Sequence, residues 1–514
     1  MTPPHHRTAS LLPLQGPRPW HLVAPWLLAL TGCASQVRIP DLASASQPRD
    51  PAWALRAPAA LATSPAAAAH VDTAPSLRAT PVPSRWWALF DDPLLPALQA
   101  QALEGNLDLQ AALLRIEESR ARLGITDARG LPQIGVSAGY ARSALSADSP
   151  LAKLHVPTTP YDQFQWGMQA SWEIDLWGHQ VQQSAAARAQ LEATQWAAGA
   201  ARVTLSAEVA RSYLLLRGVQ AQQALVDDHR QIAAELLRLT DSRERNGMAT
   251  RFDAAAARAE RATVEARALQ LGQQRDGLLN ALALLLGEAP HQLDARLLSS
   301  HTFPPAPRDL SVGVPSDLAR QRPDILQAEA LLRAATADKG AAQADFYPRV
   351  SLNAGWSIAT SHASELGNWD MRQFSVGPVV HLPLFDGGLL QRTLTLSDAR
   401  QRSAAIAWRH TVLKAWHEVS TALDACVNEQ ARKAHQEDAV VHSRVALDSA
   451  RNAWRAGSTD FTTVLVAQRS LLNAQAALAE TTTASGLAVV SLYRALGGGE
   501  DEGNAPRHVA EVRP

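Results

Sequence analysis

The chain carries one pattern twice. Leu131-Pro132-Gln133-Ile134-Gly135-Val136-Ser137-Ala138-Gly139 returns as Tyr347-Pro348-Arg349-Val350-Ser351-Leu352-Asn353-Ala354-Gly355, at an offset of 216 counted from Pro132 to Pro348. Upstream, Asp108 and Ala112 meet Asp324 and Ala328 at the same offset. Downstream the offset becomes 210, counted from Phe164 to Phe374. There Gly167 meets Gly377, Glu208-Val209 meets Glu418-Val419, Arg245 and Gly247 meet Arg455 and Gly457, and Leu286-Gly287 meets Leu496-Gly497. The change from 216 to 210 falls in the loop between two strands. Each half reads helix, strand, loop, strand, long helix, turn, helix. Length alone would suggest about two to four unrelated domains; the repeat requires two equivalent halves instead.

All four strands alternate apolar and polar residues, the signature of a sheet with one greasy and one wet face. The first sets Ile134, Val136, Ala138 and Tyr140 against Gln133, Gly135 and Ser137. The second sets Phe164, Trp166, Met168, Ala170, Trp172 and Ile174 against Gln163, Gln165, Gly167, Gln169, Ser171 and Glu173. The third sets Val350, Leu352, Ala354, Trp356 and Ile358 against Arg349, Ser351, Asn353 and Ser357. The fourth sets Phe374, Val376, Val380 and Leu382 against Gln373, Ser375 and Gly377. A strand of about 12 residues at roughly 3.3 Å each, tilted near 40°, crosses about 30 Å, the thickness of a hydrocarbon core.

The helical parts are uninterrupted. Proline, which breaks a helix interior at about 3 kcal/mol, is absent from Tyr161 to Ala289 and from Leu384 to Ala505. One helix from Gly178 to Asn246 would run about 100 Å. Its apolar positions, among them Leu205, Val209, Tyr213, Leu216, Ile232, Leu236 and Leu239, recur at the threes and fours that suit close helix packing. "RERNGMAT" and "WRAGSTD" end the two long patterns at equivalent places, each with a glycine suited to a helix C-terminus. Helical periodicity also fills the region from Arg85 to Arg129.

The stretch from Met1 to Cys33 reads as an export signal. Arg7 and Arg18 are basic, Leu22 to Leu30 is a short apolar core, and Leu30-Thr31-Gly32-Cys33 matches the bacterial lipobox, which makes Cys33 the lipidation site, the residue that takes an acyl group such as palmitate. Position +2 is Ala34 rather than the aspartate that retains lipoproteins at the inner membrane. The stretch from Ala34 to about Pro83, rich in Ala, Pro and Ser, reads as a tether without a core of its own. Cys426 is left as a lone thiol, read as a small core residue. Lys+Arg 48 against Asp+Glu 49 offers nucleic acid no basic surface. No window reaches the roughly 20 apolar residues of a spanning helix. No metal site or cofactor is expected: His5 and His6 lie in the leader, and the other histidines lack ligand spacing. Asp324 and Glu329 form no catalytic pair; Pro323 and Asp324 open a helix. The glycines at 497–499 follow a helix without a phosphate-loop lysine.

Strands enter lipid only as closed barrels, because an open edge leaves backbone groups unsatisfied. Four strands cannot close, since the smallest common barrels have about eight. Several chains must therefore pool theirs. At this point the segments "WWALFDDPLL", "NLDLQAALLRIEESRARL", "SWEIDLWG", "AEVARSYLLLR", "VPSDLARQRPDILQAEALLRAA", "ADFYPRVSL", "LPLFDGG" and "SLYRALGGG" carry a resemblance. The chain resembles the TolC-like outer-membrane efflux proteins, in particular the lipoprotein or NodT-type branch that serves resistance–nodulation–division pumps. The resemblance spans about Trp86 to Gly499, with the 322–329 and 382–388 stretches its most specific parts.

That resemblance implies a homotrimer, mainly α with a transmembrane β part. Each protomer gives four strands to a shared 12-stranded barrel, continued by a long helical barrel into the periplasm. Tyr140, Phe164, Trp166, Trp172, Trp356 and Phe374 would face lipid, and Gln165, Gln169 and Glu173 a water-filled bore. The implied function is passive conduction, with no enzymatic activity, as the outer-membrane component of a tripartite efflux system, partnered by a periplasmic adaptor and an inner-membrane pump. The turns at Gly247-Met248 and Gly457-Ser458 would be the periplasmic tips that meet the adaptor. Family members often carry Asp-Ala-Gln-Arg after the second tip, lining the constriction; here it reads Val466-Ala467-Gln468-Arg469. Arg469 is retained as a gate candidate, its alternative being a solvated helix-face charge. The lost acid leaves apolar packing of Val466 with Leu465 as the expected closure. The organisation is then a signal peptide over 1–32, a lipid-anchored tether over 33–84, repeats over 85–300 and 301–499, and a tail over 500–514. The competing expectation is a lipid-anchored periplasmic coiled-coil scaffold without a pore.

Overall fold

The computed structural model describes residues 76–78, 80–150, 152–154, 157–299, 303–307, 309–313 and 321–498. The 1–32 leader, Cys33, most of the 33–84 tether and the 500–514 tail lie outside the described residues.

Freedom from proline lets two helices run to full length. In chain order the helices are α1 (Leu94–Gly105), α2 (Leu107–Arg129), α3 (His179–Arg245), α4 (Arg251–Leu286), the single turn α5 (Asp294–Leu297), α6 (Pro323–Ala344), α7 (Leu389–Arg455) and α8 (Phe461–Ala495). α3 and α7 each hold 67 residues, about 100 Å at 1.5 Å per residue. The periodic region from Arg85 to Arg129 resolves into a 3₁₀ turn at Trp86–Phe90 and then α1 and α2. The break falls at Asn106, whose side-chain oxygen accepts the Leu109 N–H at 2.8 Å and starts α2 afresh.

The termini of the long helices repeat as the sequence does. Asp386 accepts the N–H groups of Gly388 and Leu390, each at 2.8 Å. Asp175 accepts that of Val181 at 2.8 Å. These caps are the physical content of "LPLFDGG" and "SWEIDLWG". At the far ends, Gly247 and Gly457 adopt φ of 71° and 74°, the left-handed region where a Cβ is penalised. The residue after each turns its N–H back onto the helix, Met248 to the Arg243 carbonyl at 2.8 Å and Ser458 to that of Ala453 at 3.0 Å. Thr250 with Asp253, and Asp460 with Thr463, open the returning helices α4 and α8.

Two sheets are present among the described residues. The smaller pairs β1 (Ser76–Arg78) with β4 (Asp309–Ser311) in parallel. Within the stretch read as a tether, Ser76–Arg78 thus has a partner, with Arg78 and Asp309 3.0 Å apart. Three residues are too short to show alternation. The larger sheet is antiparallel, in the order β2 (Gln133–Ser143), β3 (Tyr161–Ile174), β5 (Arg349–Thr360), β6 (Arg372–His381). The two hairpins share one register. Gly139 pairs with Gln165 in the first, and Gly355 with Ser375, the counterparts of that pair at the two repeat offsets, in the second.

The main core lies where α1, α3, α4 and α8 meet. Trp86, Phe90, Leu95, Tyr213, Leu216, Leu282 and Tyr493 are fully buried or nearly so. Trp86 stacks on Tyr493 with ring centroids 5.6 Å apart. The segments at 86–95, 207–217 and 491–499 thus meet in one packed centre. Beside it Arg322, almost completely buried, is held by Asp324 at 2.7 Å, Glu418 at 2.8 Å and the Ala495 carbonyl at 2.7 Å. That ties α6, α7 and α8 together and gives the acid of "RPDI" a structural partner.

Candidate functional site

The register of the four-stranded sheet settles which residues share a face, since directly opposed residues point the same way. Tyr140 opposes Phe164. Trp166 lies between Ala138 and Ile358. Met168 is flanked by Val136 and Trp356, and Trp356 in turn opposes Phe374. Trp172 opposes Leu352, and Val350 opposes Val380. The expected lipid-facing residues Tyr140, Phe164, Trp166, Trp172, Trp356 and Phe374 therefore lie on one continuous face with the aliphatic residues between them. The opposite face carries Gln165, Gln169, Ser351, Asn353, Ser357, Gln373 and Ser375, interleaved with glycine.

The apolar face is bare in the protomer. Val136 is 69% exposed, Val376 70% and Phe374 76%, with Ile134, Tyr140 and Val380 similar. Leaving these six in water forgoes on the order of 5–10 kcal/mol of burial, as much as the net stability of a whole domain. A face like this requires an apolar environment. Trp166 and Trp356 are partly covered by each other, 5.1 Å apart edge to face, and the Trp166 indole N–H donates to the Leu366 carbonyl at 3.0 Å. Trp172 donates to the Gly130 carbonyl at 2.9 Å. The Trp166 and Trp172 indole N–H groups are thus satisfied without water. The outer strands β2 and β6 each pair on one side only.

At the other end of the helices, Gly247, Met248, Gly457 and Ser458 form two exposed turns, with Met248 69% exposed. Above them the hairpin α3–α4 is fastened to the hairpin α7–α8. The Arg243 guanidinium lies 4.0 Å over the Trp454 ring, and Trp454 sits 5.6 Å from Phe461. Phe461 and Leu465 bury themselves with Ala257. Arg469 reaches across to Glu260, its Nη2 and Nε both 2.6 Å from Oε2. Glu260 is 7% exposed, so its carboxylate depends on that one partner. Nearby His229 is buried, and burial pushes its imidazole below the ordinary range despite a Gln475 hydrogen bond and the Glu260 charge. The Asp460 carboxyl is held low by the Thr463 hydroxyl and N–H.

The structure corrects one expectation at the gate. Leu465 and Val466 do not pack on each other: Leu465 points into the Ala257–Phe461 cluster, and Val466 is 62% exposed. Successive helix residues diverge by about 100° and cannot face one another. Arg469 keeps a largely exposed side chain, yet its guanidinium is bound to the buried Glu260 carboxylate. Sequence reasoning missed Arg243, Glu260, Trp454 and Phe461, because their contacts join helices far apart in the chain and leave no local pattern.

The profile of the family described as Outer membrane efflux protein matches residues 98–288 and 314–498. The chain is 34% identical to Outer membrane protein OprJ of Pseudomonas aeruginosa over 421 residues, 82% of this chain and 87% of that protein. It is 30% identical to Cation efflux system protein CusC of Escherichia coli, over 80% of this chain and 88% of that one. Its fold resembles the solved outer-membrane channel OprN with a TM-score of 0.78 at 30% identity, covering 84% of this chain and 96% of that structure.

Proposed function

The chain belongs to the outer membrane efflux protein family, and we propose that three copies of it close one twelve-stranded barrel through the outer membrane. The protein is the outer-membrane channel component of an efflux system, conducting substrate passively from the pump side to the exterior. The observation that carries the barrel is the continuous bare apolar face on a sheet whose outer strands are unpaired. Lipid covers the face, and neighbouring copies cover the edges. The polar face then lines a water-filled bore. Three copies of a two-fold repeat also present six near-equivalent hairpins, which suits a helical duct continuing the barrel into the periplasm.

Within this reading, Cys33 carries the lipid anchor. The turns at Gly247-Met248 and Gly457-Ser458 meet the periplasmic adaptor, and the inner-membrane pump supplies the energy. The gate is the junction of the two hairpins, held by Arg469 with Glu260, Arg243 with Trp454, and the Leu465 cluster, while Val466 faces away from its own protomer. The test is fractionation followed by unheated gel electrophoresis and planar-bilayer recording. A heat-modifiable outer-membrane trimer with single-channel conductance is expected. A Cys33→Ser chain recovered wholly as a soluble monomer, with no conductance, would instead establish the poreless scaffold.

A further inference from the structure

Charge on the apolar face of the sheet is confined to one end. The residues sharing that face in the half nearer the helices are Ile134, Val136, Ala170, Trp172, Ile174, Val350, Leu352, Ala354, Pro378 and Val380, and none is charged. At the loop end the same face carries Arg142, Asp162 and Arg372. Because the helices run into the periplasm, the loop end is the cell exterior. Arg142 touches Asp162 at 3.5 Å, and Asp162 also accepts the Tyr140 hydroxyl at 2.9 Å. Arg372 donates to the Trp369 carbonyl at 2.9 Å and lies 5.1 Å over its ring, which in turn sits 6.0 Å from Trp356. Glu365, the nearest loop carboxylate to β5, is occupied by the Thr360 hydroxyl. A guanidinium has five N–H donors, more than these contacts use.

Arg142 and Arg372 stand on the two outer strands of the sheet, β2 and β6. The repeat says how those strands meet between copies. Within the chain β3 pairs with β5, so that Trp166 opposes Ile358 and Phe164 opposes Thr360. Moving β3 forward by 210 gives β6, and moving β5 back by 216 gives β2. The same register between copies puts Val376 opposite Arg142 of the partner subunit. Arg372 then lies four residues further out on the neighbouring strand, about 13 Å at 3.3 Å per residue.

We propose that each seam between subunits is a binding site for a phosphorylated glycolipid of the outer leaflet, with Arg372 and the partner subunit's Arg142 each taking one phosphate of a two-phosphate headgroup. The acyl chains lie along Phe374, Val376 and the partner subunit's Tyr140, and Trp369 sits at the level of the sugar. Arginine suits this role because its planar fork pairs two N–H groups with two phosphate oxygens. The site rests on the three-copy barrel proposed above. Its test uses full-length trimer that has first shown heat-modifiable migration and conductance, titrated by native mass spectrometry with bisphosphorylated lipid A, its dephosphorylated form and inorganic phosphate. Expected are up to three bisphosphorylated molecules per trimer, about tenfold or weaker binding of the dephosphorylated lipid, a similar loss in Arg142→Gln/Arg372→Gln, and no competition by millimolar phosphate. Equal affinity for both lipids, an unchanged double variant, or displacement by free phosphate overturns the site while leaving the channel intact. A wild-type chain that neither trimerises nor conducts removes the barrel and the site together.

Discussion

Replacing Arg469 with methionine keeps the length and apolar stem of the side chain and removes its charge. Glu260 then holds its carboxylate at 7% exposure with no partner. Exposed ion pairs contribute about 0.2–1 kcal/mol, whereas stranding a fully buried charge costs about 3–5 kcal/mol. Here the acid is buried but the arginine side chain is 58% exposed. That mixed setting puts the cost between the two limits, at about 2 kcal/mol per protomer. Splaying the two hairpins returns the carboxylate to water, so the loss falls on the fastened state and not on the splayed one. In the proposed trimer, three copies moving together would lose about 6 kcal/mol, roughly four decades in the ratio of open to closed mouths. Single-channel recording in planar bilayers reads that ratio as open time: Arg469→Met should turn brief, rare openings into a predominantly open channel. Adding Glu260→Gln removes the stranded charge, so the double variant should close again in part, the non-additivity expected of direct partners. An Arg469→Met trace indistinguishable from wild type would refute the clasp. A double variant as open as the single one would show that packing, not charge, holds it.

Val376→Arg on the bare face should cost about 2–4 kcal/mol in a bilayer, while Ser375→Arg on the polar face should leave trimer yield unchanged; equal yields of heat-modifiable trimer would contradict the facing of the sheet. Trp86→Ala empties the centre of the main core and should cost about 3–5 kcal/mol, seen as a lower temperature at which the slow-migrating band is lost. His229 is depressed below the ordinary value of 6.5 by burial. As pH falls below that value the unfolded segment takes up a proton that the folded one refuses, so stability is lost down through the depressed folded value. With the intrinsic base-catalysed rate divided out, amide protection factors around residues 226–233 should fall from pH 7.5 to 5.5, and His229→Gln should abolish that fall. Burial pushes the Cys426 thiol up to about 12, so maleimide at pH 7.5 should label it only after denaturation, as read by peptide mass spectrometry.

What the sequence disclosed was whatever repeats or alternates locally. Period-2 patterning located all four long strands, absence of proline announced two unbroken helices, and glycine after Arg245 and Arg455 marked the turns. The two faces of the sheet were legible because one residue of slip would have reversed every side chain. Long-range partners were hidden. Nothing near Glu260 announces Arg469, nothing near Arg243 announces Trp454, and a three-residue strand at Ser76–Arg78 offers no periodicity. Val466 misled for a related reason: its neighbour in sequence is not its neighbour in space.

Each copy leaves the ribosome with two unfinished hydrogen-bonding margins, β2 and β6, and neither can be completed alone. In the proposed three-copy barrel, insertion and assembly have to be one event, and a solitary chain en route needs an escort that shields both margins. The same dependence makes the duct vulnerable to sabotage. If the proposed ring of three is right and a chain damaged at either margin is made in equal amount with the intact one, only about one ring in eight draws three sound members, so a single faulty allele would silence most of the export capacity.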